Sequence, residues 1–262
     1  MSEDLRETSS PSETGSRQDL PEVDVIVDQQ AYSGRFNMAM DEALLELAAD
    51  RDRSTVRIYR WSEPTVTLGY FQASEARSQV ENPFPGLPIV RRLSGGGAIL
   101  HDRELTYSCV LPATHPVRHD PSQLYVIVHQ ALIQLLQQCG VNSMLRSDYD
   151  AQTQVKQSAS EPFLCFLRQN PNDIVHASGI KIVGSAQRRR KGVILQHGSI
   201  LLSASDHASQ VPGIEQLASS FRREHFQDQL PQIIAASVGS LVTSRDYSAE
   251  ELEHTNRLMA SE

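Results

Sequence analysis

The sequence predicts one mixed α/β domain in which a mainly antiparallel sheet is flanked by helices. Short apolar and β-branched runs bounded by turn residues recur between residues 23 and 202, which is typical of strands. Other segments carry the apolar spacing of helices. Since no linker-like stretch divides these elements, we expect residues 21–262 to form a single domain. Residues 1–20 are polar and lack an apolar run, so we expect them to form a disordered N-terminal tail.

The first half of the domain is predicted to combine one helix with several short strands. Val23–Val27 is the first strand, and apolar residues at positions 36, 40, 43, 44 and 47 then give the spacing of one helix face. Strands at Val56–Tyr59 and Thr65–Leu68 lie on either side of a turn at Ser62–Pro64. Three more strands are predicted at Ile89–Arg92, Ala98–His101 and Leu105–Leu111.

A second helix is predicted after residue 120. Asp120 is placed to cap it, Pro121 suits its first turn, and Gly140 suits its end. Its apolar stripe runs from Leu124 to Cys139, which places the Cys139 thiol in the core. Residues 146–162 are polar without a period and are predicted to form a loop.

The last part of the chain is predicted to form paired strands and a terminal helix. The strands are Asp173–Ala177, Ile180–Val183, Val193–Leu195 and Ser199–Leu202. The first two are joined at Ser178–Gly179 and have the pattern of a hairpin. Ser248 and Glu251 match a capping box, which begins a terminal helix.

Composition excludes several classes of protein. Hydrophobic residues make up 39% and charged residues 21%, as in an ordinary globular domain. A net charge of −8 argues against nucleic acid as a partner, and no apolar run approaches the ~18 residues of a membrane span. The three cysteines, Cys109, Cys139 and Cys165, lack metal-ligand spacing and a disulfide pattern, so we expect no metal site and a cytoplasmic, reducing location.

Cys165 and Lys181 form the most informative pair of residues. The apolar neighbours of Cys165 alone indicate a buried thiol, and a lysine in the strand Ile180–Val183 normally points to solvent. If both side chains instead face one pocket, the thiolate can accept an acyl group and the lysine can stabilise the developing oxyanion. That arrangement predicts acyl transfer through a thioester.

A glycine-rich segment, Gly95–Gly97, lies between two predicted strands. Glycines let backbone amides approach a ligand closely, and Arg91 and Arg92 add positive charge beside them. The segment matches neither the Walker pattern nor the dinucleotide fingerprint, because no Gly-Lys-Ser/Thr follows and the glycines run into a strand. A plain tight turn remains the alternative.

Three linked motifs resemble one known superfamily. They are Arg92-Leu-Ser-Gly-Gly-Gly-Ala-Ile-Leu-His-Asp102, Gly179-Ile-Lys-Ile-Val-Gly-Ser-Ala186 and Gln196-His-Gly-Ser-Ile-Leu201. In order and spacing they are similar to the signatures of the lipoate–protein ligase, octanoyltransferase and biotin-ligase superfamily, over roughly residues 25–240. Cys165 and Leu105–Ser108 look most like the cysteine-dependent octanoyltransferases.

The resemblance implies a biotin/lipoate-ligase-like fold and a catalytic acyltransferase domain over residues 21–262. It implies that Cys165 and Lys181 are catalytic. The implied substrate-binding residues are Arg92, Ser94, Gly95, Gly96, Gly97, His101, Gly184, Ser185, Ala186, His197 and Gly198.

The resemblance also implies the substrates. The donor would be octanoyl-phosphopantetheine on acyl carrier protein, with no cofactor. The acceptor would be a lysine of a lipoyl-accepting protein, such as glycine cleavage H protein or a 2-oxoacid dehydrogenase lipoyl domain. The basic run Arg188–Lys191 would form a surface for the acidic carrier protein.

Three alternatives stay open at this point. An ATP-dependent lipoate–protein ligase would share the glycine loop and Lys181 but would not need Cys165. An amidotransferase that moves octanoyl groups between lipoyl-accepting proteins would need Cys165. A non-catalytic acyl-binding module would have no use for a reactive thiol.

Overall fold

The computed structural model describes residues 20–73, 83–154 and 164–261. In these ranges the strands are β1 Glu22–Val27, β2 Arg53–Tyr59, β3 Thr65–Leu68, β4 Ile89–Arg91, β5 Ile99–His101, β6 Glu104–Leu111, β7 Ser143–Leu145, β8 Ile174–His176, β9 Lys181–Arg190, β10 Val193–Leu201 and β11 Val242–Ser244. The α-helices are α1 Gly34–Leu47, α2 Gln123–Gln138, α3 Arg146–Thr153, α4 Ile214–Leu217, α5 Arg223–Val238 and α6 Ala249–Ser261.

Two sheets organise the molecule. The larger sheet has the strand order β11-β1-β2-β6-β10-β9-β8-β7, in which β1 pairs with β11 and β2 in parallel and every other pair is antiparallel. The smaller sheet has the order β4-β3-β5. The prediction of a mixed, mainly antiparallel sheet is therefore confirmed.

Helices cover both faces of the larger sheet. Alternate side chains of β6 and β10 point to opposite faces, so Cys109 and Ile194 join the core beneath α2 and α5, whereas Val110 and Leu195 pack against α1. Since both faces are covered, all eight residues of β6 are buried. Among the described residues, no helix combines the length and apolar character that crossing a bilayer requires.

Several sequence-based boundaries were wrong. Residues 146–153 form α3 instead of a loop; this helix buries only Arg146, so it carries no apolar period. The predicted strands on either side of His197 are one strand, because β10 pairs continuously with β6 and β9 through Gly198. Residues 155–162 of the predicted loop and residues 1–19 of the predicted tail lie outside the described residues.

The second helix begins later than predicted. It starts at Gln123, and the Asp120 carboxylate accepts hydrogen bonds from the Ser122 amide and from the Gln123 side chain ahead of the helix. Gly140 follows the helix with a φ of +89°, as a C-terminal glycine should. Helix α5 and strands β7 and β11 were not predicted from the sequence.

Candidate active site

A cavity of about 430 Å³ is bounded by the glycine loop and by strands β9 and β10. The predicted site residues that line it are Arg92, Gly95, Gly96, Gly97, His101, Cys165, Lys181, Gly184, Ser185, Ala186, His197 and Gly198. Ser94 does not line the cavity; it is buried, and its hydroxyl forms a hydrogen bond with the His197 ring. Residues that lie far apart in the sequence thus meet at one cavity.

The backbone fixes Cys165 beside the end of the glycine loop. The Cys165 amide donates to the Ala98 carbonyl at 2.8 Å, in an isolated bridge between the two segments. Its sulfur lies 3.8 Å from the point that a Cβ at Gly96 would occupy. The thiol is partly exposed to the cavity, whereas Cys109 and Cys139 are buried.

Lys181 points into the cavity and not into solvent. Its side chain is 6% exposed, and its Nζ lies 3.0 Å from the Asp173 carboxylate and 3.4 Å from the Cys165 carbonyl oxygen. The ammonium also lies 5.1 Å from the centre of the Phe166 ring. Gly184 keeps this space open, because a Cβ there would come within 2.5 Å of Lys181 Cε.

Asp173 is a polar cavity residue that the sequence analysis placed only at the start of a strand. Burial raises the pKa of its carboxyl, and the adjacent Lys181 ammonium opposes that rise. The predicted hairpin was the feature of the sequence that could have indicated this contact. Strand β8 pairs with β9 so that Val175 lies opposite Lys181, and the residues just before β8 therefore lie close to this lysine. Asp173 holds the lysine in place at the cavity wall.

Arg92 is a second cation in the cavity wall. Its guanidinium donates to the carbonyls of Gly95 and Gly97 at 2.7 Å each, and to Thr67 O and Oγ1 at 3.2 and 3.1 Å. Burial lowers the pKa of Arg92 to about 10, while the nearby Cys165 thiolate would raise it. Arg92 therefore links the two ends of the glycine segment Gly95–Gly97 to each other and to Thr67 of β3.

Two histidines join the loop to the sheet. His197 contacts Ser94 through Nε2, and its Nδ1 lies 3.1 Å from the Asp41 carboxylate. His101 lies 2.8 Å from the Glu104 carboxylate, and burial lowers its pKa. Both rings line the cavity.

A third histidine, His129 on α2, had no role in the sequence analysis. Its Nε2 lies 2.6 Å from Ser185 Oγ, and Ser185 Oγ lies 2.6 Å from the Tyr107 hydroxyl. Burial lowers the pKa of His129 to about 4, so the ring is neutral at pH 7. This chain of hydrogen bonds fixes the Ser185 side of the cavity wall.

Part of the cavity lining is apolar. Met38, Tyr59, Trp61 and Ile99 contribute to the lining, and the Trp61 ring stacks on His101 with 3.9 Å between ring centres. These aromatic and aliphatic surfaces suit a hydrocarbon chain, and they line the same cavity as Cys165 and Lys181.

The run from Arg188 to Lys191 does not form one basic surface. Arg190 bonds with Glu42 and Glu46 of α1, and Arg188 lies over the Tyr70 ring at 4.3 Å. Arg189 and Lys191 are exposed. Because successive side chains of a strand point to opposite faces of the sheet, the basic residues of this run do not lie on a single face.

Comparisons with known proteins agree on the type of domain. Residues 33–255 match the family described as the lipoyl protein ligase A/B catalytic domain. An octanoyltransferase LipM from Brevibacillus brevis is 39% identical over 176 residues, which cover 66% of this chain and 63% of that relative. An octanoyltransferase LipM from Kyrpidia tusciae is 33% identical over 255 residues, covering 87% and 92%.

Solved structures show the same fold. A putative lipoate protein ligase from T. acidophilum with bound lipoic acid has a TM-score of 0.71 at 20% identity, covering 92% of this chain and 95% of that one. A lipoate-protein ligase A bound with ATP has a TM-score of 0.70 at 21% identity, with the same coverage.

Proposed function

This chain belongs to the lipoyl protein ligase A/B catalytic domain family, and from that premise we propose that it is an octanoyltransferase of lipoate assembly. The reaction would move an octanoyl group from acyl carrier protein, through a thioester on Cys165, to a lysine of a lipoyl-accepting protein. One observation carries the proposal: the Cys165 thiol and Lys181 line one cavity whose lining also includes apolar and aromatic side chains.

The first step is a thioester exchange. The Cys165 thiolate attacks the octanoyl carbonyl carbon, a new C–S bond replaces the old one, and the phosphopantetheine thiolate leaves. Negative charge develops on the carbonyl oxygen, and the Lys181 ammonium, held by Asp173 at 3.0 Å, is placed to stabilise it. The acyl chain extends toward Trp61 and Met38.

The second step is aminolysis. An uncharged lysine amine of the acceptor attacks the acyl-enzyme, a C–N bond replaces the C–S bond, and Cys165 is released as a thiolate. The amine loses one proton as the amide forms, and the phosphopantetheine thiolate released in the first step takes up one proton, so the overall reaction is balanced. Because amide formation from a thioester is downhill, this route requires neither nucleotide nor another cofactor.

The partners follow from this chemistry. The donor we propose is acyl carrier protein, and the acceptor is a lipoyl-accepting protein such as glycine cleavage H protein or a 2-oxoacid dehydrogenase lipoyl domain. A reactive free thiol requires a reducing compartment, which supports a cytoplasmic location.

A transfer assay tests the proposal. The protein is mixed with octanoyl-carrier protein and a lipoyl domain, without ATP, and the lipoyl domain is weighed by mass spectrometry. We expect it to gain one octanoyl group. If the gain instead requires ATP and free octanoate or lipoate, the chain is a ligase. If octanoyl-H protein is the only effective donor, it is an amidotransferase.

A further inference from the structure

We propose that the buried guanidinium of Arg92 is the counter-ion of the Cys165 thiolate. This inference rests on the proposed role of Cys165 as the nucleophile, and it adds how the thiol is kept reactive. The thiolate, not the thiol, attacks an acyl carbon, and a free cysteine is only a few per cent thiolate at pH 7.

The first argument is that Arg92 has no carboxylate partner among the residues that the structure describes. The side chain is buried, with 2% exposure, and its four acceptor atoms on Thr67, Gly95 and Gly97 are all uncharged oxygens. Its Nε is buried and has no hydrogen-bond partner within the described residues. A buried charge is costly unless an opposite charge compensates it, so this cation favours an anion beside it.

The second argument is position. A Cβ at Gly96 would lie 3.0 Å from Arg92 Nη2 and 3.8 Å from Cys165 Sγ, so the guanidinium and the sulfur flank the same point of the loop. Both residues line the cavity. The Cys165 amide is tied to Ala98 next to the loop that Arg92 fastens, which keeps the two groups together.

The third argument concerns the other charged groups of the cavity. Lys181 is already paired with Asp173 at 3.0 Å, so its charge is balanced. Burial favours the neutral form of His101 by lowering its pKa. Among the described residues no carboxylate is bonded to Arg92, so a Cys165 thiolate would balance its charge.

Alkylation of Cys165 tests this inference without any acyl donor. The rate of iodoacetamide modification at Cys165 is followed by peptide mass spectrometry for the wild type, R92Q and R92K. At pH 7 we expect R92Q to react about tenfold more slowly and R92K to stay within about threefold of the wild type. At pH 10, where a free cysteine is mostly thiolate, R92Q should approach the wild-type rate.

A neighbouring arginine supplies the matched control. Arg91 donates to the backbone carbonyls of Gly69 and Gln72 and does not line the cavity. R91Q should alkylate like the wild type. A tenfold loss in R92Q that persists at pH 10 would show blocked access instead of lost charge, and an unchanged rate at pH 7 would also overturn the proposal.

A second comparison leaves Arg92 intact, in case R92Q does not fold. C165D places a permanent anion beside the guanidinium, and C165N is its neutral match. We expect C165D to have the higher Tm at pH 7; a higher Tm for C165N would contradict the inference. Because neither assay uses an octanoyl donor, failure of the proposed transfer reaction would be recognised separately.

Discussion

Cys165 differs from the other two cysteines in its surroundings. Burial raises the pKa of both the Cys109 and Cys139 thiols, whereas Cys165 opens into the cavity. We expect C165S to abolish transfer while the fold persists. C109S and C139S should keep transfer and lose only modest stability through repacking. Activity assays with thermal melts of the three variants check this, and a fully active C165S would exclude the covalent route.

Lys181 is expected to act on the transition state and not on donor binding. K181A should lower kcat by roughly 10²–10³, the effect of removing one oxyanion donor, with little change in KM for the carrier protein. K181R keeps the charge, but a planar guanidinium fits poorly beside Gly184 and should not restore the rate. Normal turnover of K181A would refute the assigned role.

At this scale, the sequence could identify residues inside contiguous motifs. Cys165, Lys181 and the glycine loop were found in this way, and the structure brings them together. Asp173 was not found, because its contact with Lys181 depends on the register of two strands. That no carboxylate of the described residues bonds with Arg92 depends on what folds around it, which no local pattern shows.

The glycine loop makes a prediction at the scale of an element. Gly96 has a φ of +96°, and a Cβ there would press on Arg92 at 3.0 Å. G96A should therefore lose about 1–3 kcal/mol of stability to backbone strain and also lose transfer activity. Gly86 is the control: its φ is +77°, but the space around it is open. G86A should show a similar stability loss with transfer intact; equal activity losses in both variants would contradict the argument.

The terminal helix α6 makes a second prediction. The buried Glu251 accepts hydrogen bonds from Arg245, Arg51 and the Ser248 amide at 2.6–2.8 Å. Burial opposes the shift, but these bonds lower the pKa of Glu251 from 4.5 to about 2. A depressed carboxyl pKa stabilises the fold above the unfolded value, and this contribution is lost as the pH falls from about 4.5 toward 2.

E251Q measures that contribution. At pH 7 its free energy of unfolding should be lower than that of the wild type by about 3 kcal/mol, the equivalent of the shift. The difference should shrink below pH 4.5 in urea melts recorded from pH 7 to pH 3. S248A, which removes the reciprocal cap, should cost about 1 kcal/mol at every pH. A pH-independent loss in E251Q would show that packing, not ionisation, is responsible.

Elements were predicted where their pattern is local. The capping box of α6 and the apolar stripes of α1 and α2 gave their positions to within a few residues. Helix α3 was not predicted because a polar surface helix has no apolar period. Strand β10 was predicted as two strands because His197 and Gly198 interrupt an otherwise apolar run. Its continuity comes from hydrogen bonds to β6 and β9, which lie elsewhere in the sequence.

At the scale of the whole molecule, the arrangement of the two sheets brings the candidate site residues to one cavity. The larger sheet is covered by helices on both faces, and the small sheet β4-β3-β5 presents the glycine loop to its β9 and β10 strands. Lys181 is held by strand β9, whereas Cys165 lies in a short turn that is bonded to Ala98 at the end of the glycine loop. The strand order that achieves this is non-local, so the sequence predicted the fold class but not the topology.

The central claim is that Cys165 carries the acyl group. It is tested most directly by intact-mass analysis of the protein after mixing with octanoyl-carrier protein, without ATP and without acceptor. We predict a gain of one octanoyl group, mapped to Cys165 by peptide sequencing, absent from C165S and discharged when a lipoyl domain is added. An unmodified protein that still transfers octanoyl groups, or modification at another residue, would contradict the account.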